Sequence, residues 1–388
     1  MTSKDKHQKH VALTKPELGE FGRNELAFLG APCGVIQELA RYLISHLSES
    51  FSLGYVDAEH PAERANAGQE DNETEDFGRL RMTDKQTHIR FEKFHPLSTF
   101  DRRAIFSQED LVIINGNHFQ SSSQVLIIHP GKNMEKKLDR LKDVKLIILD
   151  EKIADIPEFL EPNLPAWREI PVLRLGDKQD ILCWTRSWLV QRTAALHGLV
   201  LVGGESKRMR KDKGGLNYHG KSQREHVFDL LSSFCAETFI SCNQQQARAL
   251  GGKSPLIEDL FINLGPMGGI LSAFRANPNC AWLVLACDLP YLSDKTLRYL
   301  MAHRNPSKIA TAFVDPKGEF PEPLISIWEP KSYPVLLQYL SQGISCPRKV
   351  LINADVELLR APDNKELVNV NHPEEYEAVL NDLSNQKV

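Results

Sequence analysis

Short β-branched apolar runs, separated by helix-length amphipathic stretches, recur along this chain in two successive series. That alternation is the mark of parallel sheets with crossover helices, so the pattern predicts an α/β protein. The first series opens near Asn24. Its predicted strands are Glu25–Leu29, Leu53–Val56, Leu111–Asn115, residues 125–128, Val144–Leu149 and residues 171–175, with helices over 34–47 and 178–192. The second opens with the run GLVLV at 198–202. Two cores are expected from 388 residues, which is more than one core usually organises. The reading is a polar N-terminal tail at 1–23, a first domain at 24–193 and a second at 194–388. Four prolines between residues 157 and 171 offer a rival linker, but the helical pattern after them completes the first series. Residues 58–76, rich in Glu, Asp, Asn, Gly and Ala, are expected to form a mobile surface loop.

Composition narrows the function classes. With 41% hydrophobic and 25% charged residues the chain reads as globular. A net charge of -4 argues against a nucleic-acid binder, which needs a basic face to neutralise phosphates. No apolar run is long enough for a bilayer and the N-terminus has no apolar leader segment, so a cytoplasmic protein is expected, with no membrane partner. The seven cysteines, at 33, 183, 235, 242, 280, 287 and 346, form no CxxC pair and are read as reduced packing residues.

Candidate chemistry concentrates in the second series. LVGGESKRMRKDK at 201–213 follows an apolar strand directly. Gly203 and Gly204 let backbone N–H groups approach an anion, and Lys207, Arg208, Arg210, Lys211 and Lys213 crowd the segment with cations. A solvated basic loop is the plainer alternative. In WLVLACDLPY at 282–291, Asp288 ends a strand at the place where open sheets bind ligands. It suits Mg²⁺, which shares its shell between carboxylate, water and phosphate, or else caps the next element. IED at 257–259 and LGPMGGIL at 264–271 lie between them. The glycine-rich run either wraps a base or ribose or makes a tight turn. LVNVNHPEEY at 367–376 puts Asn369 and Asn371 on one side of an extended segment, for ring recognition or for local backbone bonding.

In order and spacing, these motifs resemble the molybdenum cofactor guanylyltransferase family over most of residues 197–380. The resemblance implies a Rossmann-like nucleotidyltransferase domain that transfers GMP from GTP to molybdopterin, releasing pyrophosphate, with Mg²⁺ as cofactor. Carried over residue by residue, the backbone at Leu201, Val202 and Gly203 holds the guanine nucleotide and Lys213 neutralises its phosphates. Asp259 contacts the nucleotide, Asp288 binds Mg²⁺, and Asn369 and Asn371 face molybdopterin. A further nucleotide-binding asparagine falls at Asn243, with Ser241 as the other candidate. Lys213 and Asp288 are the implied catalytic pair. The chain departs from the family with Val202 in place of Ala and Arg210 in place of Gly. Implied partners are GTP and molybdopterin, with molybdenum-insertion proteins and cofactor-accepting molybdoenzymes beyond them.

In the first series, LAFLGAPCGVIQELARYLI at 26–44 has the strand, glycine loop and helix of a P-loop without its Lys or hydroxyl residue. Val35 and Ile36 follow Gly34 instead. Together with DLVIING at 110–116, where Asn115 replaces an acidic residue, the domain resembles a degenerate form of the GTP-binding adaptor protein of molybdopterin-guanine dinucleotide synthesis. Nucleotide hydrolysis is not expected there. Three alternatives remain: an unrelated α/β packing domain, a second domain using CTP or a sugar 1-phosphate, or a non-catalytic molybdopterin carrier.

Overall fold

The computed structural model describes residues 13–59, 79–162, 164, 167–202, 213–251, 254–370 and 372–385. The chain divides into two compact units, Leu18–Arg192 and Thr193–Val388, the latter joined by the N-terminal residues to Glu17. Most of residues 58–76, read as a loop, lie outside the described residues.

The first unit contains β1 (Glu25–Leu29), α1 (Cys33–Leu47), β2 (Leu53–Val56), β3 (Leu80–Asp84), β4 (Ile89–Lys93), α2 (Thr99–Ile105), β5 (Leu111–Asn115), β6 (Ser123–Ile128), β7 (Val144–Leu149), β8 (Val172–Arg174) and α3 (Lys178–Val190). Its main sheet is ordered β2-β5-β1-β6-β7-β8, and every neighbouring pair is parallel. Strands β1, β5 and β6 are buried along their whole length, which is why they read as continuous apolar runs rather than alternating ones. Ile36, Leu39 and Leu43 of α1 and Ile181 and Leu189 of α3 pack with one face of the sheet. Leu160 and flanking short turns pack with the other.

Two features were not anticipated. The antiparallel hairpin β3–β4 carries mixed charged and apolar positions with no buried face, so no burial pattern announced it. Phe21, inside the stretch read as polar tail, is buried and meets Phe106 and Phe119 edge-on at 5.9 Å each.

The second unit contains β9 (Leu196–Leu201), α4 (Gln223–Ser232), β10 (Thr238–Cys242), α5 (Gln244–Leu250), β11 (Leu256–Glu258), α6 (Pro266–Ala276), β12 (Ala281–Ala286), α7 (Asp294–Ala302), β13 (Ala310–Val314), β14 (Pro321–Trp328), α8 (Ser332–Ser341), α9 (Pro347–Asn353), β15 (Val356–Leu359) and α10 (Pro373–Asn385). The sheet order is β11-β10-β9-β12-β14-β13-β15. The expected parallel pairing holds for β11, β10, β9 and β12 and is interrupted at β14, which is antiparallel to both neighbours. The cause is local. Residues 315–320 close a tight loop, with Asp315 N donating to Phe320 O at 2.7 Å and Gly318 at φ 74°, and so short a connection joins only antiparallel strands.

The glycine-rich run at 264–271 becomes the start of α6. Gly265, at φ 56°, precedes Pro266 at the first helical position. Gly268 and Gly269 bring the helix onto the sheet: a Cβ on Gly268 would lie 2.3 Å from Phe261 O, and one on Gly269 would lie 2.5 Å from Ser241 Oγ and 2.7 Å from a Leu201 methyl. Of the two readings offered for this run, close helix-to-strand packing is what these glycines serve.

Gly269→Ala is expected to cost about 1–3 kcal/mol by overpacking. Urea denaturation checks this, and an unchanged midpoint would refute the packing role. His226 of α4 stacks on His219 with centroids 3.8 Å apart. Burial, reinforced by the charges of His219 and Lys221, lowers its pKa from 6.5 to about 4. The unfolded chain therefore takes up a proton that the folded chain refuses, and stability should fall as pH drops from about 6.5 toward about 4. His226→Gln should lose less stability than wild type over that window in paired urea titrations; equal losses would contradict the assignment.

Candidate active site

Strands β11, β10, β9 and β12 run parallel, side by side, so their carboxyl ends open on one edge, where open sheets bind ligands. Each delivers a predicted residue there: Asp259 after β11, Asn243 after β10, Leu201 and Val202 at the end of β9, and Asp288 after β12.

At the β11 side, Ser241 Oγ donates to Asp259 Oδ1 at 2.6 Å, and Asp259 N donates to Cys242 O at 2.9 Å. Burial raises the Asp259 pKa, the Ser241 bond opposes this, and neighbouring Glu258 adds to the rise. Of the two candidates on β10, buried Ser241 touches Asp259, whereas Asn243 is exposed and caps α5. Its Oδ1 accepts from Gln246 N at 2.9 Å, and Gln246 Oε1 accepts from Asn243 N at 3.0 Å. Gln246 also donates from Nε2 to Val202 O at 3.2 Å, while Val202 N donates to Ser241 O at 3.3 Å. Both backbone groups of Val202 are thus engaged within the protein. Leu201 is a paired strand residue.

At the β12 side, the loop carrying Asp288 is held from three directions. Val370 N donates to Asp288 O at 2.9 Å, Gln223 Nε2 donates to Leu289 O at 3.3 Å, and His219 Nε2 lies 3.0 Å from Pro290 O. The first of these bonds brings the Asn369 segment beside Asp288. Residues 368–370 are not part of the sheet, and the Asn369 Oδ1 atom is buried with no hydrogen-bond partner among the described residues. Tyr218, Val370 and Val379 form a small apolar cluster that packs α10 here. Burial raises the Tyr218 pKa, and the charges of Tyr376, Asp288, Glu375 and Tyr291 push the same way.

Sequence reasoning missed Glu322. Three residues beyond the Leu285–Ile325 pair on each strand lie Asp288 and Glu322. Glu322 is 3% exposed and accepts from Arg348 Nη2 at 3.1 Å and Leu324 N at 3.2 Å. Burial raises its pKa, the Leu324 amide and Arg348 oppose this, and the charge of Asp288 adds to the rise. A carboxylate between two prolines in a strand, Pro321 and Pro323, was the available signal. Gln223, buried at the start of α4, carried none.

Gly203, Arg210 and Asn371 lie outside the described residues, as does the side chain of Lys213, which opens the turn Lys213–Gly215. Among the described residues no group of three or more His, Cys, Asp or Glu could hold a metal. What the β12 edge offers is a carboxylate and an amide oxygen, hard donors of the kind that share a cation with phosphates and water.

The family model described as "MobA-like NTP transferase domain" matches residues 198–358. The chain is 36% identical over 183 residues to a molybdenum cofactor biosynthesis bifunctional protein of Synechocystis, covering 47% of this chain and 52% of that protein. It thus spans about half the length of that relative. It is 30% identical over 189 residues to a probable molybdenum cofactor guanylyltransferase of Carboxydothermus hydrogenoformans, covering 47% of this chain and 93% of that one. The molybdenum cofactor guanylyltransferase of Pseudomonas entomophila is 28% identical over 180 residues, with 93% of it covered. The crystal structure of molybdopterin-guanine dinucleotide biosynthesis protein A from Archaeoglobus fulgidus aligns over 49% of this chain and 99% of its own, at 24% identity and a TM-score of 0.42. With motif order, strand-end geometry and family match in agreement, the chain belongs to the molybdenum cofactor guanylyltransferase family.

Proposed function

We propose that the second unit transfers GMP from GTP to the molybdenum cofactor, forming the guanine dinucleotide and releasing pyrophosphate. The observation that carries this reading is the convergence of Ser241, Asp259, Asp288 and Asn369 on one sheet edge. From β11 to β12 is three strand spacings, about 14 Å, room for a nucleoside at one end and its phosphates at the other. We assign 24–193 as a degenerate adaptor-like domain and 194–388 as the transferase domain.

In the proposed reaction a terminal phosphate oxygen of molybdopterin bonds to the α-phosphorus of GTP in line, the α–β bridging bond breaks, and pyrophosphate leaves. No covalent enzyme intermediate is needed, so positioning and charge stabilisation carry catalysis. Asp259, oriented by Ser241, is assigned to the nucleoside. Since Val202 has both backbone groups engaged, the amides holding the nucleotide fall to Gly203 and the residues after it, and Lys213 is assigned to its phosphates. Asn243 is assigned to the outer rim of the nucleotide site. Asn369 and Asn371 are assigned to molybdopterin, with the buried Asn369 Oδ1, which has no hydrogen-bond partner among the described residues, proposed to accept from the pterin. Asp288 is the proposed Mg²⁺ ligand; the ion, when bound, supplies positive charge against the phosphates. Among the described residues no helix is long and apolar enough to cross a membrane, and we place the reaction in the cytoplasm, upstream of cofactor-accepting molybdoenzymes.

Incubation with molybdopterin, Mg²⁺ and either GTP or CTP, followed by product mass analysis, tests the reading. Guanine dinucleotide with pyrophosphate is expected. Product from CTP alone would move the activity to a cytidylyl transfer, and cofactor binding without pyrophosphate would make the protein a carrier. Asp288→Asn should lower turnover by roughly two to three orders of magnitude while leaving the circular dichroism spectrum unchanged; near-normal turnover at saturating Mg²⁺ would remove it from the site. Lys213→Ala should weaken GTP binding and slow transfer together. Titration calorimetry giving the wild-type dissociation constant would exclude the phosphate contact.

A further inference from the structure

The first unit gathers a thiol, an imidazole and a carboxylate at the carboxyl ends of three adjacent strands. Cys33 opens α1 just beyond β1, Asp57 directly follows β2, and His118 lies just beyond β5. Cys33 Sγ is 3.3 Å from His118 Nε2, and Asn117 Nδ2 donates to the same sulfur at 3.5 Å. Asp57 Oδ1 is 3.9 Å from that same ring nitrogen. An amide nitrogen only donates, so the sulfur is an acceptor here, and a thiolate accepts far better than a thiol.

Helix geometry favours the anion as well. Val35 N and Ile36 N turn back to Pro32 O at 3.0 and 3.2 Å, and the amides of Cys33 and Gly34 precede the first internal bonds of α1, at its positive end. A Cβ on Gly34 would meet nothing within 4 Å, so there is room above the helix start. The Cys33 side chain is partly exposed and that of His118 is 24% exposed.

The carboxylate stands beside the ring and does not ligate. Asp57 Oδ1 accepts from Ala58 N and Asn115 Nδ2, both at 2.8 Å, and Oδ2 accepts from Tyr55 OH at 2.7 Å and Gln37 Nε2 at 3.1 Å. With both oxygens doubly occupied it has no lone pair to spare for a metal. Backbone amides beside a thiolate suit an electrophile that becomes negative on attack. A carbonyl meets this, since its oxygen takes the negative charge next to the attacked carbon, within reach of those amides.

We propose that Cys33, His118 and Asp57 form a nucleophilic thiol site for an activated acyl group, an ester or thioester. The Sγ proton passes to His118 Nε2, and the sulfur electron pair forms a bond to the carbonyl carbon. The tetrahedral oxyanion faces the first amides of α1. The bond to the leaving group then breaks, and the departing alkoxide or thiolate takes the proton from His118, leaving a thioester on Cys33. This site is independent of the transferase reading.

The test uses the full-length chain with p-nitrophenyl acetate and peptide mapping. A burst of about one equivalent of nitrophenolate is expected, with the acetyl group on Cys33 and not on exposed Cys183 or Cys346. Cys33→Ser should abolish the burst, and His118→Gln should slow it by roughly a hundredfold, as for loss of a general base. Acetylation spread evenly over the three cysteines overturns the proposal. Iodoacetamide labelling of the wild-type protein gives an arm that needs no variant: Cys33 should be alkylated ahead of Cys183 and Cys346, and equal rates overturn the thiolate. Preferential alkylation without an acetyl burst overturns the acyl substrate.

Discussion

The parallel pairing of β9 with β10 on one side and β12 on the other is the constraint on which the transferase site depends. Parallel register brings strand ends to one edge, and that edge collects residues far apart in sequence. The pairing is secured by burial. β9 and β12 are buried throughout, so a slip of one residue would drive one whole set of apolar side chains onto the wrong face. Gly268 and Gly269 then let α6 close on β9 and β10, with the Gly269 Cα beside the same Ser241 that orients Asp259. Packing and site geometry are here one requirement: whatever lifts the helix also disturbs the hydroxyl on which the carboxylate leans.

At the other end, β14 is the antiparallel intruder. Because it runs against β12, the start of β14 meets the end of β12, and Glu322 is set beside Asp288. Burial and, beside it, the charge of Asp288 raise the affinity of Glu322 for protons. The structure manages this by pairing Glu322 with Arg348. Asp288 follows the end of β12, tied through its carbonyl to the Asn369 segment, where phosphate and cation chemistry is proposed. An all-parallel sheet would have brought no residue to the position of Glu322.

What the sequence revealed follows from what leaves a pattern. Buried parallel strands leave continuous apolar runs, so β1, β5, β9 and β12 were legible, as was the strand-end position of Asp288. The hairpin β3–β4 has no buried face and left none. Asn369 was expected on a strand; its segment is instead tied by one backbone bond from Val370 to the Asp288 carbonyl, a contact across more than eighty positions that periodicity does not encode. Asn243, read as a nucleotide ligand because it follows β10, also caps α5, and cap and ligand draw on the same residue types. Cys33 was read as packing because no second cysteine accompanied it; its partner is a histidine eighty-five positions away.

The two units apply one architecture to opposite charge problems. In each, glycines follow a central parallel strand in the sequence: Gly30 after β1, and Gly203 and Gly204 after β9. In the second, the sequence that follows is dense in Lys and Arg and is the segment proposed for a polyanion. In the first, the corresponding helix start has Val35 and Ile36 where a phosphate clamp would stand, and the carboxylate of Asp57 beside it. Burial raises the Asp57 pKa, but hydrogen bonds from Tyr55, Gln37, Ala58 and Asn115 outweigh it and hold the group below the ordinary value. A fixed negative charge at that mouth repels a triphosphate, and the same helix start carries the thiol proposed above as a nucleophile.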